Sequence, residues 1–212
     1  MYGDPELREE IRKFYKEEYD LDIKEDEVIV TASGLIAMYS VLQAILDFGD
    51  EVIIQAPFFT PYTSQVKMAC GIPVELATYE EEDFQINPSR LEMLINERTK
   101  AIIINTPSNP SGSCLSKSTM EELAEIAEKH DLIVIADDIY TSYSFQADFI
   151  PFMSIPHMKE RTITINSFSK NFIMTGWRCH STVIHSESSQ RHERKHNLFC
   201  TGCVPACCHI CA

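Results

Sequence analysis

The sequence has no long hydrophobic run and no excess of positive charge. No apolar stretch approaches the roughly 18 residues that a membrane-spanning helix needs, and no signal peptide opens the chain. Among 212 residues, 32 are acidic and 18 are lysine or arginine, which gives a net charge of −14. Such a chain has no electrostatic footprint for a nucleic-acid backbone. We therefore expect a cytoplasmic protein that binds neither membranes nor nucleic acids.

Two common phosphate-binding motifs are also missing. The chain contains no G-x-G-x-x-G and no G-x-x-x-x-G-K-[ST]. A dinucleotide-binding or P-loop fold would therefore lack its glycine-rich phosphate cradle. The remaining composition is that of an ordinary globular protein, with 44% hydrophobic and 24% charged residues. This length is sufficient for one substantial hydrophobic core.

Short apolar segments alternate with helical segments over residues 1–178. The predicted strands are 28–30, 51–55, 74–77, 101–105, 132–136 and 161–166, the last of the series. The predicted helices are 6–19, 35–46, 61–70, 88–96 and 117–129. Continuous apolar strands that alternate with helices are typical of an α/β domain. We expect a mainly parallel sheet with helices on both faces.

Polar residues follow several of these strands directly. In a parallel α/β sheet the ligand binds beyond the carboxyl ends of the strands, so such residues are candidates for a site. They are Ser33 and Gly34 after strand 28–30, Asn109 after strand 101–105, Asp137 after strand 132–136, and Lys170 after strand 161–166. Candidates that follow four different strands at the expected edge favour a ligand site more than any single motif does.

The segment S-F-S-K-N-F-I-M-T-G-W-R, residues 167–178, is the most informative in the chain. Lys170 follows an apolar strand, two serines stand just before it, and Arg178 follows eight residues later. A buried amine that can bond to an aldehyde, beside hydroxyls and a guanidinium that can hold a phosphate, favours a pyridoxal-phosphate site. The alternative is a strand, a turn and a helix start that carry a lysine by chance.

Three motifs occur in a familiar order: N-P-S-G at 109–112, D-D-I-Y at 137–140 and S-F-S-K…G-W-R at 167–178. With them the chain resembles the class I/II aminotransferases, which are fold-type I pyridoxal-phosphate enzymes related to aspartate aminotransferase. The resemblance covers about residues 2–178. It implies pyridoxal 5'-phosphate as cofactor and amino-group transfer between an amino acid and a 2-oxo acid. It also implies a homodimer with the active site at the subunit interface.

The resemblance implies catalytic roles for three residues. Lys170 would bind the cofactor covalently and then act as the base that moves the substrate proton. Asp137 would keep the pyridine nitrogen protonated. Tyr140, with Asn109, would donate hydrogen bonds to the phenolic oxygen, and Phe59 would stack on the ring. In isolation, an aspartate after a strand can equally be a helix cap, an Asn-Pro pair a turn, and either aromatic a packing residue.

The same resemblance implies a phosphate site. Ser167 and Arg178 would bind the phosphate, Arg178 through a bidentate pair. Ser33, Gly34 and Leu35 open a helix, where free backbone N–H groups and the helix dipole favour an anion. A generic helix start is the alternative for this Ser-Gly pair.

The chain departs from the family pattern after Arg178. An aliphatic and a small residue are expected there, whereas the chain has Cys179 and His180. Six of the eight cysteines and five of the seven histidines lie within residues 179–212. Codons for residues 203–210 are compatible with A-S-Q-R-A-A-I when they are read one base later. We therefore predict a partial cofactor-binding domain over 1–178 and a frameshifted tail over 179–212, which the gene sequence would test.

The tail has a second interpretation as a zinc knuckle. Its candidate ligands are Cys200, Cys203, Cys207, Cys208, His209 and Cys211. A disulfide cluster is the third interpretation, and it is disfavoured in a cytosolic chain.

The resemblance also starts late and stops early. The family's N-terminal arm, and the small domain with its arginine for the substrate carboxylate, have no counterpart in the 212 residues. We therefore expect a form that is truncated at both ends, with weak or no turnover. The alternative function is a non-catalytic remnant that binds the cofactor or another subunit.

Overall fold

The computed structural model describes residues 2–145 and 148–185. Seven strands form one sheet: β1 (Val28–Thr31), β2 (Glu51–Ala56), β3 (Ile72–Ala77), β4 (Thr99–Asn105), β5 (Ile133–Asp137), β6 (Thr162–Ser167) and β7 (His180–Ile184). The α-helices of these residues are α1 (Pro5–Tyr19), α2 (Gly34–Ile45), α3 (Pro61–Met68), α4 (Pro88–Leu94), α5 (Lys117–Lys129) and α6 (Phe168–Asn171). Every predicted strand and helix is confirmed, with ends shifted by one or two residues.

The strands are arranged in the order β1-β7-β6-β5-β4-β2-β3. The pairs from β6 through β5, β4 and β2 to β3 are all parallel. Only β7 is antiparallel, both to β6 and to β1. The predicted fold class, an α/β domain with a mainly parallel sheet, is confirmed.

Strand β7 corrects the prediction that strand 161–166 closes the series. Its sequence, H-S-T-V-I, is buried along its whole length and joins β1 to β6. Thr182, Val183 and Ile184 are β-branched residues that suit a strand buried on both faces. The unusual cysteine and histidine content beyond Arg178 concealed this short apolar pattern.

The core lies on both faces of the sheet, as the continuous apolar strands require. Helices α2 and α3 cover one face, where Val41 and Leu42 are fully buried against strand side chains such as Ile103. Helices α4 and α5 cover the other face, where Leu123 packs with Ile102. In α5 the buried residues Met120, Leu123, Ala124 and Ala127 recur at a spacing of three and four, which is the pattern expected of a helix that covers a sheet.

One edge of the sheet collects the carboxyl ends of the six parallel strands and the amino end of β7. Because β7 is antiparallel to both neighbours, β1 runs in the same direction as β6 and the other parallel strands. The carboxyl ends of β1, β6, β5 and β4 therefore meet the amino end of β7. At this edge His180 pairs with both Thr31 and Ser167, and Asn105 pairs with Asp137. The fold thus aligns polar residues in a row.

Two predictions, the absence of a membrane-spanning helix and the zinc knuckle, concern residues that the structure describes only in part or not at all. No helix in residues 2–145 and 148–185 has the length and apolar character to cross a membrane. The same part of the chain contains no group of three or more residues that could hold a metal ion. The cysteines and histidine of the predicted zinc knuckle lie after residue 185, outside the described residues.

We expect Ile102→Ala to lower the free energy of unfolding by about 2–5 kcal/mol, because it removes a fully buried side chain from β4 and leaves a cavity. Met93→Ala is the matched control, because Met93 lies on α4 and is 77% exposed. This substitution should change the free energy of unfolding by less than about 0.5 kcal/mol. Urea unfolding of both variants measures the difference. Equal stability of the two variants would contradict the packing described for β4.

Candidate active site

All ten residues that the sequence predicts for the site line one cavity at the carboxyl edge of the sheet. The cavity has a volume of about 380 Å³. This volume falls within the range of roughly 300–1,000 Å³ that is typical of small-molecule sites. The ten residues are Ser33, Gly34, Leu35, Phe59, Asn109, Asp137, Tyr140, Ser167, Lys170 and Arg178.

Asp137 is the last residue of β5 and lies buried at the floor of the cavity. Its Oδ2 accepts a short hydrogen bond from the hydroxyl of Tyr62, which α3 supplies from the neighbouring layer. Its backbone carbonyl accepts a hydrogen bond of 2.8 Å from Nδ2 of Asn105, at the end of β4. Tyr62 therefore orients the carboxylate, while Asn105 fixes the backbone of the residue that carries it.

Burial raises the pKa of Asp137 from 3.8 to about 6, although the hydrogen bond from Tyr62 opposes the rise. Burial penalises the charged form because the protein interior solvates a charge less well than water does. The second oxygen, Oδ1, has no hydrogen-bond partner among the described residues. Oδ1 is therefore a desolvated acceptor that is available to the N–H group of a ligand.

Helix α2 points its amino end at the cavity. Ser33 caps this helix, and its hydroxyl oxygen accepts a hydrogen bond of 3.1 Å from the Ile36 N–H. The first bond of the helix itself runs from the Ala37 N–H to the Ser33 carbonyl, at 2.9 Å. The N–H groups of Gly34 and Leu35 precede this bond and have no acceptor within the helix. With the positive end of the helix dipole they form an arrangement that suits an anion.

A second turn provides hydroxyl groups to the same end of the cavity. Ser167 ends β6 and caps α6, where its oxygen accepts a hydrogen bond of 3.1 Å from the Ser169 N–H. The Ser169 hydroxyl is buried and has no partner in the described part of the chain. Lys170 follows in the same helical turn and lines the cavity.

The prediction that the amine of Lys170 is buried is wrong. Lys170 and Arg178 line the cavity, but both residues are exposed. Helix α6 is a single turn at the open edge of the sheet, so its lysine meets solvent. Arg178 has a backbone φ of 56° and donates a hydrogen bond of 3.4 Å from Nη1 to the Thr175 carbonyl. The rim of the cavity is therefore positively charged and accessible to water.

Tyr140 and Asn109 approach each other on the opposite wall. The Asn109 side chain hydrogen-bonds the Tyr140 side chain, while the Asn109 backbone N–H donates to Asn105 Oδ1 at 2.7 Å. Burial and the negative charge of Asp137 raise the pKa of Tyr140 above 10.0. The phenol thus keeps its proton at neutral pH and can donate a hydrogen bond.

Phe59 lies partly buried beside the floor of the cavity. Its ring meets the Tyr62 ring edge to face, with 5.7 Å between ring centroids and an interplanar angle of 81°. Phe59, in the wall of the cavity, therefore packs against Tyr62, whose hydroxyl donates a hydrogen bond to Asp137.

Six further polar residues that were not predicted as site residues also line the cavity: Tyr62, Gln65, Asn105, Ser169, Thr175 and His180. Three of them carry a buried polar atom without a partner in the described chain, namely Gln65 Oε1, Ser169 Oγ and His180 Nδ1. Ser169 is one of the two serines noted before Lys170, Thr175 lies in the same segment, and Asn105 ends a predicted strand. The other three depend on how α3 and β7 pack, which no local pattern reveals.

Comparison with known proteins identifies the family. The model of the family "Aminotransferase class I and II" matches residues 1–208. The chain belongs to this aminotransferase family. Among curated aminotransferases, it is 44% identical over 173 residues to the putative aminotransferase YugH of Bacillus subtilis, a match that covers 81% of the chain and 45% of that protein. It is 42% identical over 177 residues to the probable aspartate/prephenate aminotransferase of Thermus aquaticus, covering 83% and 45%.

Solved aminotransferase structures share the fold. The aromatic aminotransferase of Pyrococcus horikoshii superposes with a TM-score of 0.87 at 37% identity, and the match covers 95% of the chain and 54% of that structure. The aspartate aminotransferase of Thermus thermophilus bound to maleate gives 0.88 at 33% identity, covering 99% and 54%. The chain thus spans about half the length of the aminotransferases that it matches. The family match also extends past residue 178, and the reading-frame hypothesis for 179–212 stays a prediction.

Asp137 should make the stability of the protein depend on pH. A carboxyl group whose pKa is raised in the folded state binds its proton more tightly there, so stability falls as pH rises from about 4 to 6. A rise from 3.8 to about 6 corresponds to roughly 3 kcal/mol at about 1.4 kcal/mol for each pKa unit. We expect Asp137→Asn, which keeps an acceptor for Tyr62, to be more stable at neutral pH by about this amount.

Urea unfolding at several pH values measures this difference. The greater stability of Asp137→Asn should diminish as the pH falls from about 6 to about 4, and it should vanish below pH 4. A constant difference at every pH would show that the carboxyl group does not titrate in this interval.

Proposed function

We propose that the protein binds pyridoxal 5'-phosphate in this cavity and, as part of a complete family active site, transfers an amino group between an amino acid and a 2-oxo acid. The observation that carries the proposal is the meeting of all ten predicted residues around one cavity. Lys170 lines the same cavity as a desolvated carboxylate and a group of anion-binding donors. These are the three functions that the cofactor requires from a protein: an amine, an acceptor for the ring nitrogen, and a phosphate site.

The residues at the floor of the cavity fit the ring of the cofactor. Oδ1 of Asp137 is buried and without a partner in the described chain, so it can accept the N–H of a pyridinium ring. A positive charge there would also stabilise the carboxylate, whose pKa is raised by burial. Phe59 lines the cavity with its ring in contact with Tyr62, in a position that suits stacking on the cofactor.

The residues near the amino end of α2 fit the phosphate. The N–H groups of Gly34 and Leu35 point out of the helix end, and the Ser169 hydroxyl is free to donate. Arg178 adds a permanent positive charge at the rim. Helix dipole, hydroxyl and guanidinium together offset the charge of a phosphate dianion.

Once bound, the cofactor supplies an electron sink for the Cα of an amino acid. The protein must then supply one residue that moves the Cα proton and other residues that stabilise the charges of the bound cofactor. Lys170 is the amine that lines the cavity at an accessible position, so its Nζ can take the Cα proton and return it. Tyr140 keeps its proton and donates a hydrogen bond, and Asp137 keeps a negative charge at the far end of the cavity.

Substrates and assembly are inferred from the family. The relatives are named for aspartate, prephenate and aromatic amino acids, which indicates an amino acid and a 2-oxo acid as the pair. We also propose a homodimer, since the cavity is open on the side of Lys170 and Arg178 and both side chains are exposed. A second subunit at this edge would cover the cationic rim.

Borohydride reduction of the protein mixed with pyridoxal phosphate tests the cofactor site. We expect peptide mass spectrometry to find a phosphopyridoxyl group on Lys170, because its amine lies in the cavity with the phosphate-binding donors. Lys170→Ala should lose this adduct. Lys129→Ala, at an exposed lysine paired with Glu92 on α4, is the control and should retain it. Equal labelling of many lysines, or none in a folded sample, would contradict the proposal.

Amino-group transfer is tested by adding an amino acid to the loaded protein and following the formation of pyridoxamine phosphate. Aspartate and an aromatic amino acid are suitable donors. Loss of a general base typically slows a reaction at least about 100-fold, so Lys170→Ala should show no transfer above background. A loaded protein that converts no donor would be a cofactor-binding protein without activity.

A further inference from the structure

His180 enters the cavity at a position where the family pattern has a small residue. It is the first residue of β7, and it pairs with Thr31 on one side and Ser167 on the other. The residue is 6% exposed, and Nδ1 has no hydrogen-bond partner in the described chain. A buried imidazole with a free nitrogen costs stability unless something pairs with it. The roles assigned above do not use this side chain.

The imidazole lies at the amino end of α2. A Cβ atom placed on Gly34 would lie 3.4 Å from Cδ2 and 3.9 Å from Nε2 of His180. The ring thus packs directly on the backbone whose N–H group opens the helix. Ser167, its partner in β6, also lines the cavity. His180 therefore lies between the two groups of donors that suit a phosphate.

The charge state of His180 also suits this place. Burial, together with the positive charges of Arg178 and Lys170, lowers the pKa of His180 from 6.5 to about 4. The other titratable groups of the cavity are Asp137, Tyr140 and Tyr62. At neutral pH the ring is therefore uncharged, with one N–H donor and one acceptor nitrogen. A dianion bound beside it would favour the N–H donor, and would draw the pKa upward.

We propose that His180 is a phosphate-binding residue whose Nε2, on the ring edge nearest Gly34, donates a hydrogen bond to the phosphate of the bound cofactor. The identity of the ligand rests on the proposed function, whereas the anion subsite does not depend on catalysis. Nε2 joins the Ser169 hydroxyl and the N–H groups of Gly34 and Leu35 as donors around one anion. The opposite possibility is that the ring fills the space that the phosphate needs.

Binding of two ligands that differ only in the phosphate separates these possibilities. Dissociation constants for pyridoxal phosphate and for pyridoxal are measured for the unmodified protein and for His180→Ala. A hydrogen bond to a charged group is worth about a factor of 10 or more in affinity. We expect His180→Ala to bind pyridoxal phosphate at least about 10-fold more weakly, and pyridoxal with unchanged affinity. His180→Gln, whose amide can donate from nearly the same place as Nε2, should recover part of the loss.

His130→Ala is the matched control, since that imidazole lies near Glu92 and outside the cavity. It should leave both dissociation constants unchanged. Equal weakening of pyridoxal and pyridoxal phosphate by His180→Ala would indicate a role in the fold alone and would overturn the proposal. Unchanged or tighter binding of pyridoxal phosphate would overturn it as well, the tighter case showing that the ring obstructs the site.

Titration with inorganic phosphate, followed by NMR of the histidine side chains, distinguishes failure of this proposal from failure of the proposed function. The His180 resonance is assigned by its loss in His180→Ala, and it should shift with phosphate while that of His130 does not. A shift without any adduct at Lys170 would retain the phosphate site and reject the cofactor function. An adduct at Lys170 without a shift of His180 would reject this proposal and retain the function. Absence of both would reject both.

Discussion

Lateral pairing between parallel strands is the constraint on which the site depends. Residues that end neighbouring parallel strands must lie side by side, because the backbone hydrogen bonds of the ladder leave no freedom of register. Asn105 is thereby placed beside Asp137, and the antiparallel pairing of β6 with β7 places Ser167 beside His180 in the same way. A helix that starts within a few residues of such a strand end has its amino end facing the same space. The cavity is thus a consequence of sheet order, and the chemistry comes from which polar residue ends each strand.

The two ends of the cavity have opposite electrostatic character. Asp137 is desolvated at the floor, where it costs stability while no cation pairs with it, and the hydrogen bond from Tyr62 offsets part of this cost. At the other end Arg178, Lys170 and the amino terminus of α2 concentrate positive charge near solvent. A ligand with a cationic ring nitrogen and an anionic group would satisfy both ends simultaneously, which supports the proposal of pyridoxal phosphate over that of a simple anion.

Most of the fold and the chosen site residues were predictable because the signals are local. Continuous apolar strands indicated the buried sheet, and the polar residues that follow them indicated the functional edge. Tyr62 and Gln65 were not predictable, since they reach the cavity only through the packing of α3 on the sheet. The exposure of Lys170 was missed because the apolar strand before it suggested a buried side chain, whereas α6 is a single turn at the open edge. Local patterns identify which residues approach the edge, but not how deeply each one is covered.

Strand β7 shows how one segment contributes to fold and site together. In the described sheet β1 pairs with β7 alone, so β7 connects β1, and through it the start of α2, to the remaining strands. Helix α2 also packs on β6 and β7, which keeps its amino end over the sheet edge. The segment that begins at Cys179 therefore cannot be separated from the phosphate end of the cavity, although its composition differs from the preceding chain. Because the strand must start at this edge to pair with both neighbours, its first side chain has to lie beside the helix terminus, and in this chain that side chain is an imidazole.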